Sequence, residues 1–450
     1  MKTWLGKPAA LVLWLEKLEG NRKRDKRNQS RLRKLGWKVM ILWEGQIWGL
    51  GEDGAPYTCI FRVGNMKAVE LFAGAGGLAL GTKAAGFKHA AVVEWNRNAC
   101  DTIRKNNHLG VINWPLVRGD VRQINFKEWH GVELVAGGPP CQPFSIGGKH
   151  RGQNDHRNLF PEAVRAVREI QPKTVLIENV KGLLRPAFNQ FFEYVVLQLT
   201  YPELTIKRNE DWQAHLCRLE RCHTKGQQAG LHYQVVWTRL NAADFGVAQK
   251  RERVFIVGFR SDIGASWSFP MPTHSHASLL RSQWVTGEYW DRHKVSSRSR
   301  PEVPTAIARR LERLPACDLK PWRTVRDAIS DLPDPTKGKN DIPNHWANSG
   351  ARAYGGHTGS PLDEAAKTLK AGDHGVPGGE NMLAYPDGRV RYFTVRESAR
   401  LQSFPDNYIF EGSWTESMRQ LGNAVAVEVA TRVATSIRQS IALEHRVHVG

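Results

Sequence analysis

Apolar residues along the chain fall into short runs separated by stretches with helical spacing. The runs Lys67 to Phe72, Ala90 to Val93, Val132 to Val135, Thr174 to Ile177, one ending near Leu240, and Val254 to Phe259 are too short for helices and rich in aliphatic and β-branched residues. Such runs predict buried strands. Between them, Asn98 to Asn107, Phe160 to Ile170 and Phe188 to Leu199 carry apolar residues three and four apart, which predicts helices against a sheet. The alternation predicts an α/β fold with a doubly wound, mostly parallel sheet. After Arg260 the pattern dissolves into a stretch rich in Pro, Gly, His and Trp that lasts to about Arg389, and a last helix is expected from about Met418 to Ser440.

The ends of the predicted strands carry the candidate chemistry. The first run breaks into the glycine turn AGAGGLALG, Ala73 to Gly81, and then a helical pattern: strand, glycine turn and helix, the start of a nucleotide-cofactor βαβ unit. Its Gly74, Gly76 and Gly77 do not follow the G-x-G-x-x-G spacing of dinucleotide enzymes. Seventeen positions beyond Gly77 the second run ends in Glu94 and Trp95. A carboxylate there can accept from ribose hydroxyls while an indole covers an adenine face, or the pair is a helix cap beside a surface Trp. Asp120 stands where a third strand would end. The run at Val132 to Val135 leads into GGPPCQPFS, in which two prolines fix the backbone before Cys141. That turn fits either an aimed thiolate nucleophile or a rigid loop with a buried thiol. Glu178 leaves the strand Thr174 to Ile177, where burial would raise its pKa and suit it to proton donation, or where it is an ordinary strand-end carboxylate. In QKRER, strand alternation puts Gln249, Arg251 and Arg253 on one face and Lys250 and Glu252 on the other.

In chain order, FAGAGG, Glu94–Trp95, Asp120, PPCQPFS, ENV, QKRER, RESARLQSFPD (Arg396 to Asp406) and QLGNAVAVEVA (Gln420 to Ala430) resemble the DNA (cytosine-5) methyltransferase family over residues 66 to 445. The resemblance implies the class I S-adenosylmethionine-dependent methyltransferase fold, with a catalytic and cofactor-binding domain at 66–260, a target-recognition domain at 261–409 and a carboxyl-terminal helix at 410–450 that returns to the catalytic domain. It implies that Cys141 adds to carbon 6 of a flipped-out cytosine, that Glu178 holds ring nitrogen 3, and that Arg253, helped by Arg251, binds the oxygen on carbon 2. Phe72, Gly74, Gly77, Glu94, Trp95, Asp120, Pro140, Asn423 and Val425 match the family's S-adenosylmethionine contacts. Gln142 and Ser145, in a loop that would close over the DNA, together with Gln249 and the Thr368–Leu369 pair of AAKTLKAG, match its DNA contacts. Ala426 stands where many members carry a proline.

Composition agrees with a polyanionic partner, double-stranded DNA: 450 residues carry a formal charge of +20 and a sequence pI near 9.8. Six cysteines in so long a chain supply no disulfide framework, and no apolar run approaches membrane-spanning length, so the expectation is a monomeric cytoplasmic enzyme associated with the nucleoid. A restriction endonuclease is the expected genetic partner. Residues 1–65 stand apart. From Lys2 to Arg62 there are thirteen Lys or Arg against six Asp or Glu, and WLEKLEGNRKRD followed by LGWKVMILWE resembles the carboxyl-terminal part of the very-short-patch repair endonucleases. That family's catalytic half has no counterpart here, which predicts a truncated remnant without nuclease activity. An insertion between Tyr201 and Leu231 holds His215, Cys217, Cys222 and His223, whose spacing departs from the paired zinc pattern and predicts a charged surface excursion with no metal. Two other readings remain, a tRNA cytosine-5 methyltransferase and a DNA-binding regulator on a methylase scaffold.

Overall fold

The computed structural model describes residues 65–140, 158–226, 230–313, 318–338, 340–355, 358–371 and 379–447. Cys141, Gln142 and Ser145, the expected closing loop, and residues 1–64 lie outside them. Five strands, β1 (Lys67–Leu71), β2 (Lys88–Glu94), β3 (Leu116–Arg118), β4 (Leu134–Gly137) and β5 (Thr174–Val180), pair in parallel. Two more, β6 (Tyr233–Asn241) and β7 (Glu252–Arg260), complete a seven-stranded sheet in the order β3-β2-β1-β4-β5-β7-β6, with β7 antiparallel to both its neighbours. The order reverses between β1 and β4. In an open α/β sheet that reversal leaves a crevice beyond the strands' carboxyl ends, where ligands bind.

Side-chain alternation builds the two covers. Val69 and Leu71 of β1 pack with Val93, Val135, Ala166 and Ile170 on one face. Ala68 faces the opposite layer with Leu78, Val429, Val433 and Ile437. The first layer includes helix α3 (Phe160–Ile170), and α4 (Asn189–Thr200) covers β5 and β7 beside it; the second is formed by α1 (Gly77–Ala84) and the closing helix Val427–Val447. Helix α2 (Arg97–His108) links β2 to β3. One correction to the expected layout has a physical cause. The single helix expected from Met418 to Ser440 is two helices, Trp414–Asn423 and Val427–Val447, because Ala424 is extended (φ −67°, ψ 149°) and the carbonyls of Leu421, Gly422 and Ala424 accept from the side chains of Gln402 and Arg251. Phe393, Val395, Leu401 and Phe410 share one buried cluster with Ala75, Leu80 and Trp114 and with Val325, Ile329 and Leu383 of the segment after Arg260.

Between Arg260 and Val390, regular structure among the described residues is confined to short helices and to strands of two or three residues, such as His274–Ser275 and Met382–Ala384. A small aromatic core of Leu279, Tyr289 and Trp290 packs with Trp284 and Trp322 there. The insertion after Tyr201 contains helix α5 (Trp212–Thr224), capped by Asp211 and seated on α4 through Leu216 and Leu219. Among the described residues no helix is long and apolar enough to cross a membrane.

Candidate active site

The carboxyl ends of β1 and β2 build one wall. Beyond β1 the chain turns through Phe72 and Gly74, both at φ 55°, and Gly76, at φ 82°, into α1. The left-handed values favour glycine at Gly74 and Gly76 and strain Phe72. A Cβ on Gly77 would lie 2.3 Å from the carbonyl oxygen of Val425, whereas one on Gly74 would meet nothing within 4 Å. The turn is closed at its back and open at its front. Glu94 ties it to β2 by accepting from the N–H groups of Gly74 (2.7 Å), Trp95 (2.9 Å) and Asn96 (2.7 Å). Burial pushes the Glu94 carboxyl up, and those three donors oppose the shift. Trp95, 71% exposed, offers a free indole face beside the turn. Asp120 follows β3, caps the N–H of Arg122 and pairs with its guanidinium, which holds its carboxyl below the usual range. Pro140 follows β4, and Asn423 is exposed two positions before Val425. An open-fronted glycine turn flanked by a carboxylate and an indole fits an adenosine-bearing cofactor such as S-adenosylmethionine.

Gly77→Ala should therefore damage the fold and the cofactor site together. The added methyl must displace the backbone of Val425, at a cost of about 1–3 kcal/mol. A lower unfolding midpoint, with weakened cofactor binding by calorimetry, would show it.

The end of β5 forms the other wall. Glu178 is 6% exposed, and Arg253 Nε lies 3.0 Å from its Oε1. Burial pushes the Glu178 carboxyl up, and the charges of Arg253 and Arg251 pull against that shift. The carboxylate sits over the turn after β4, since a Cβ on Gly138 would lie 3.4 Å from Glu178 Oε2. Asn179 Nδ2 donates to the carbonyl of Pro139 at 3.1 Å, pinning the Pro-Pro step that leads to Cys141. Sequence reasoning passed over that asparagine, although it stands inside the ENV motif.

The two arginines divide their work. Arg251 is 1% exposed and donates to the carbonyls of Leu369 (3.2 Å), Gly422 (2.8 Å) and Ala424 (2.6 Å). It fastens the lead into β7 to the recognition segment and to the break between the last two helices. Its Nη1 and Nη2 are thus engaged by main-chain carbonyls, while Arg253 makes the ion pair with Glu178. Arg251→Ala should unfold at markedly lower urea, by about 3 kcal/mol or more, because three buried carbonyls lose their donor. Arg253→Ala should stay folded and lose activity at least about a hundredfold. Urea titrations beside methyl-transfer rates separate the two roles.

Gln249 and Leu369 are buried. They are 0% and 1% exposed. Gln249 bridges Ala366, Lys250 N–H donates to the Ala366 carbonyl at 2.8 Å, and Thr368 Oγ1 donates to the Lys250 carbonyl at 2.6 Å. The Thr-Leu pair is thus a seam that docks the recognition segment beside β7, which turns Leu369 inward. Lys250 and Glu252 face outward as expected and pair with Glu364 and Lys181. In the insertion, His215 is buried with Nδ1 on Tyr194 Oη (2.8 Å) and Nε2 on the Leu204 carbonyl (2.7 Å), while His223 Nδ1 meets Tyr201 Oη at 2.9 Å. Both histidines pack α5 onto the chain around α4, so the insertion is a docked helix more than a solvated excursion.

A profile of the C-5 cytosine-specific DNA methylase family matches residues 66–201 and 218–439. The type II methyltransferase M.NgoMIV of Neisseria gonorrhoeae is 30% identical over 383 residues, covering 84% of this chain and 99% of that protein. M.Eco47II of Escherichia coli is 33% identical over 377 residues, covering 82% of this chain and 78% of that protein. Among solved structures, one described as a DNA modification methyltransferase encoded within an E. coli prophage superposes with a TM-score of 0.52 at 21% identity, covering 84% of this chain and 99% of that one, a likeness of fold.

Proposed function

The chain belongs to the C-5 cytosine-specific DNA methylase family and is a DNA (cytosine-5-)-methyltransferase with the class I methyltransferase fold, and from that premise we propose that it modifies a flipped-out cytosine through a covalent bond from Cys141, as the modification enzyme of a restriction-modification system. The observation that supports this most is the buried Glu178–Arg253 pair, 3.0 Å apart, over the Gly-Gly-Pro-Pro turn that ends at Cys141.

Carbon 5 of cytosine is too weak a nucleophile to take a methyl group unaided. The Cys141 thiolate adds to carbon 6, and the ring's electron pair moves to carbon 5. Glu178, whose carboxyl burial pushes up toward the protonated form against the pull of Arg253 and Arg251, holds nitrogen 3 and hands it a proton as negative charge builds there. Arg253 keeps that carboxyl in place and presents its remaining N–H groups to the oxygen on carbon 2. S-adenosylmethionine, held by Phe72, Gly74, Gly77, Glu94, Trp95, Asp120, Pro140, Asn423 and Val425, would supply the methyl group. Loss of the carbon 5 proton and expulsion of the thiolate then restore the aromatic ring and the enzyme. The cytosine must leave the base stack for any of this. Gln142 and Ser145 are assigned to the DNA-facing loop, and the basic segment 1–65 to phosphate contact without nuclease activity.

Incubation with tritiated S-adenosylmethionine and either duplex DNA or tRNA tests the substrate class. Label should enter DNA alone, as 5-methylcytosine at one sequence word; label in tRNA alone, or in neither, would refute the proposal.

A further inference from the structure

The cofactor turn rests on two aromatic side chains that no sequence motif joins. Trp114, in the loop before β3, is 4% exposed, and its backbone N–H and carbonyl are both clamped by the Asn107 side chain at 2.9 Å. Its indole lies directly under Gly76: a Cβ there would be 2.5 Å from Cζ3 and 2.8 Å from Cη2. Tyr408 arrives from the far end of the recognition segment. It is fully buried, its Oη donates to the Ala75 carbonyl at 2.7 Å, and it would stand 3.2 Å from the same Cβ. Each support is itself held: the Tyr408 carbonyl accepts from Arg396 at 3.0 Å, and its ring packs against Phe404 and Phe410. Opposite this floor, Glu94 holds the N–H of Gly74. The Ala73–Gly77 turn is therefore gripped at Gly74 from β2 and at Ala75 and Gly76 from beneath.

We propose that Trp114 and Tyr408 are positioning residues for the cofactor, which fix the glycine turn in its binding shape before the ligand arrives; this rests on the reading of that turn as the S-adenosylmethionine site. A turn with left-handed residues at Gly74 and Gly76, entered through left-handed Phe72, gains its order from its surroundings, and a preformed turn spares the ligand the entropy of ordering it. Removing the phenolic hydroxyl frees the Ala75 carbonyl inside an apolar shell, and shortening the indole leaves space under Gly76. Either change loosens the cofactor site without touching Glu178 or Arg253.

The test uses the full chain carrying Tyr408→Phe or Trp114→Phe, with binding of S-adenosylmethionine and S-adenosylhomocysteine measured by calorimetry. Tyr408→Phe should weaken both ligands about fivefold to tenfold, the worth of one buried hydrogen bond. The KM for S-adenosylmethionine should rise by the same factor while the KM for DNA stays within twofold. Should Tyr408→Phe fail to fold, Trp114→Phe carries the same expectation. A folded variant whose ligand affinity is within twofold of the parent, or whose KM for DNA rises as much as that for the cofactor, overturns the proposal. A parent protein that binds neither ligand overturns the cofactor reading beneath it.

Discussion

A Cys141→Ser enzyme should transfer methyl groups at least about a thousandfold more slowly than the parent while binding duplex DNA as tightly. A hydroxyl stays protonated where a thiol ionises, and Glu178, which sits over Gly138 paired with Arg253, is itself pushed toward its protonated form by burial and so makes a poor base for a serine. Asn179 pins the Pro139 carbonyl without using residue 141, so the exchange leaves that contact in place and the loss is chemical. Single-turnover methylation beside a gel-shift titration reads both quantities. A serine variant within tenfold of the parent rate would remove the covalent route.

The second large effect belongs to Glu178→Gln. The amide can still donate a hydrogen bond to nitrogen 3 but cannot carry a proton through the reaction, so the rate should fall about a hundredfold to ten-thousandfold. The pH dependence gives the sharper reading. Burial raises the folded-state pKa of Glu178 above its ordinary 4.5, so the protonated, active form is lost as pH rises through the raised value. The Cys141 thiolate is gained in the same direction, and the parent profile should be a bell. In Glu178→Gln the alkaline fall assigned to the carboxyl should vanish. Stability follows the same sign: a carboxyl with a raised folded pKa contributes stability that is complete below 4.5 and is lost as pH rises through its folded value. The parent should therefore lose more unfolding free energy than the variant between acidic and neutral pH. Parallel slopes, or an unchanged alkaline limb, would take the proton-holding role away from Glu178.

The central sheet was legible because parallel strands buried on both faces must be short continuous apolar runs, and helices such as Phe160–Ile170 lie where the spacing put them. β3 showed only through Asp120, since its three residues are half-exposed and carry no run of their own. The recognition segment was illegible in detail because strands such as His274–Ser275 or Ser360–Pro361 are too short to express a period. At the site, alternation gave the inward face of Arg251 and Arg253 but not their partners. Arg251 meets carbonyls 118, 171 and 173 positions away, and nothing local announces such contacts. Trp114 and Tyr408 escaped for the same reason: each sits in an irregular segment, and only the closed fold brings both under one turn.

The covalent claim is tested most directly by trapping. Duplex DNA carrying 5-fluorocytosine at the methylated position cannot lose a proton from carbon 5, so the cysteine cannot be expelled after methyl transfer. With S-adenosylmethionine present, the protein should form a denaturation-resistant adduct, and mass mapping should place the modified base on Cys141. A fully active preparation that yields no adduct, or an adduct on any other residue, would contradict the account.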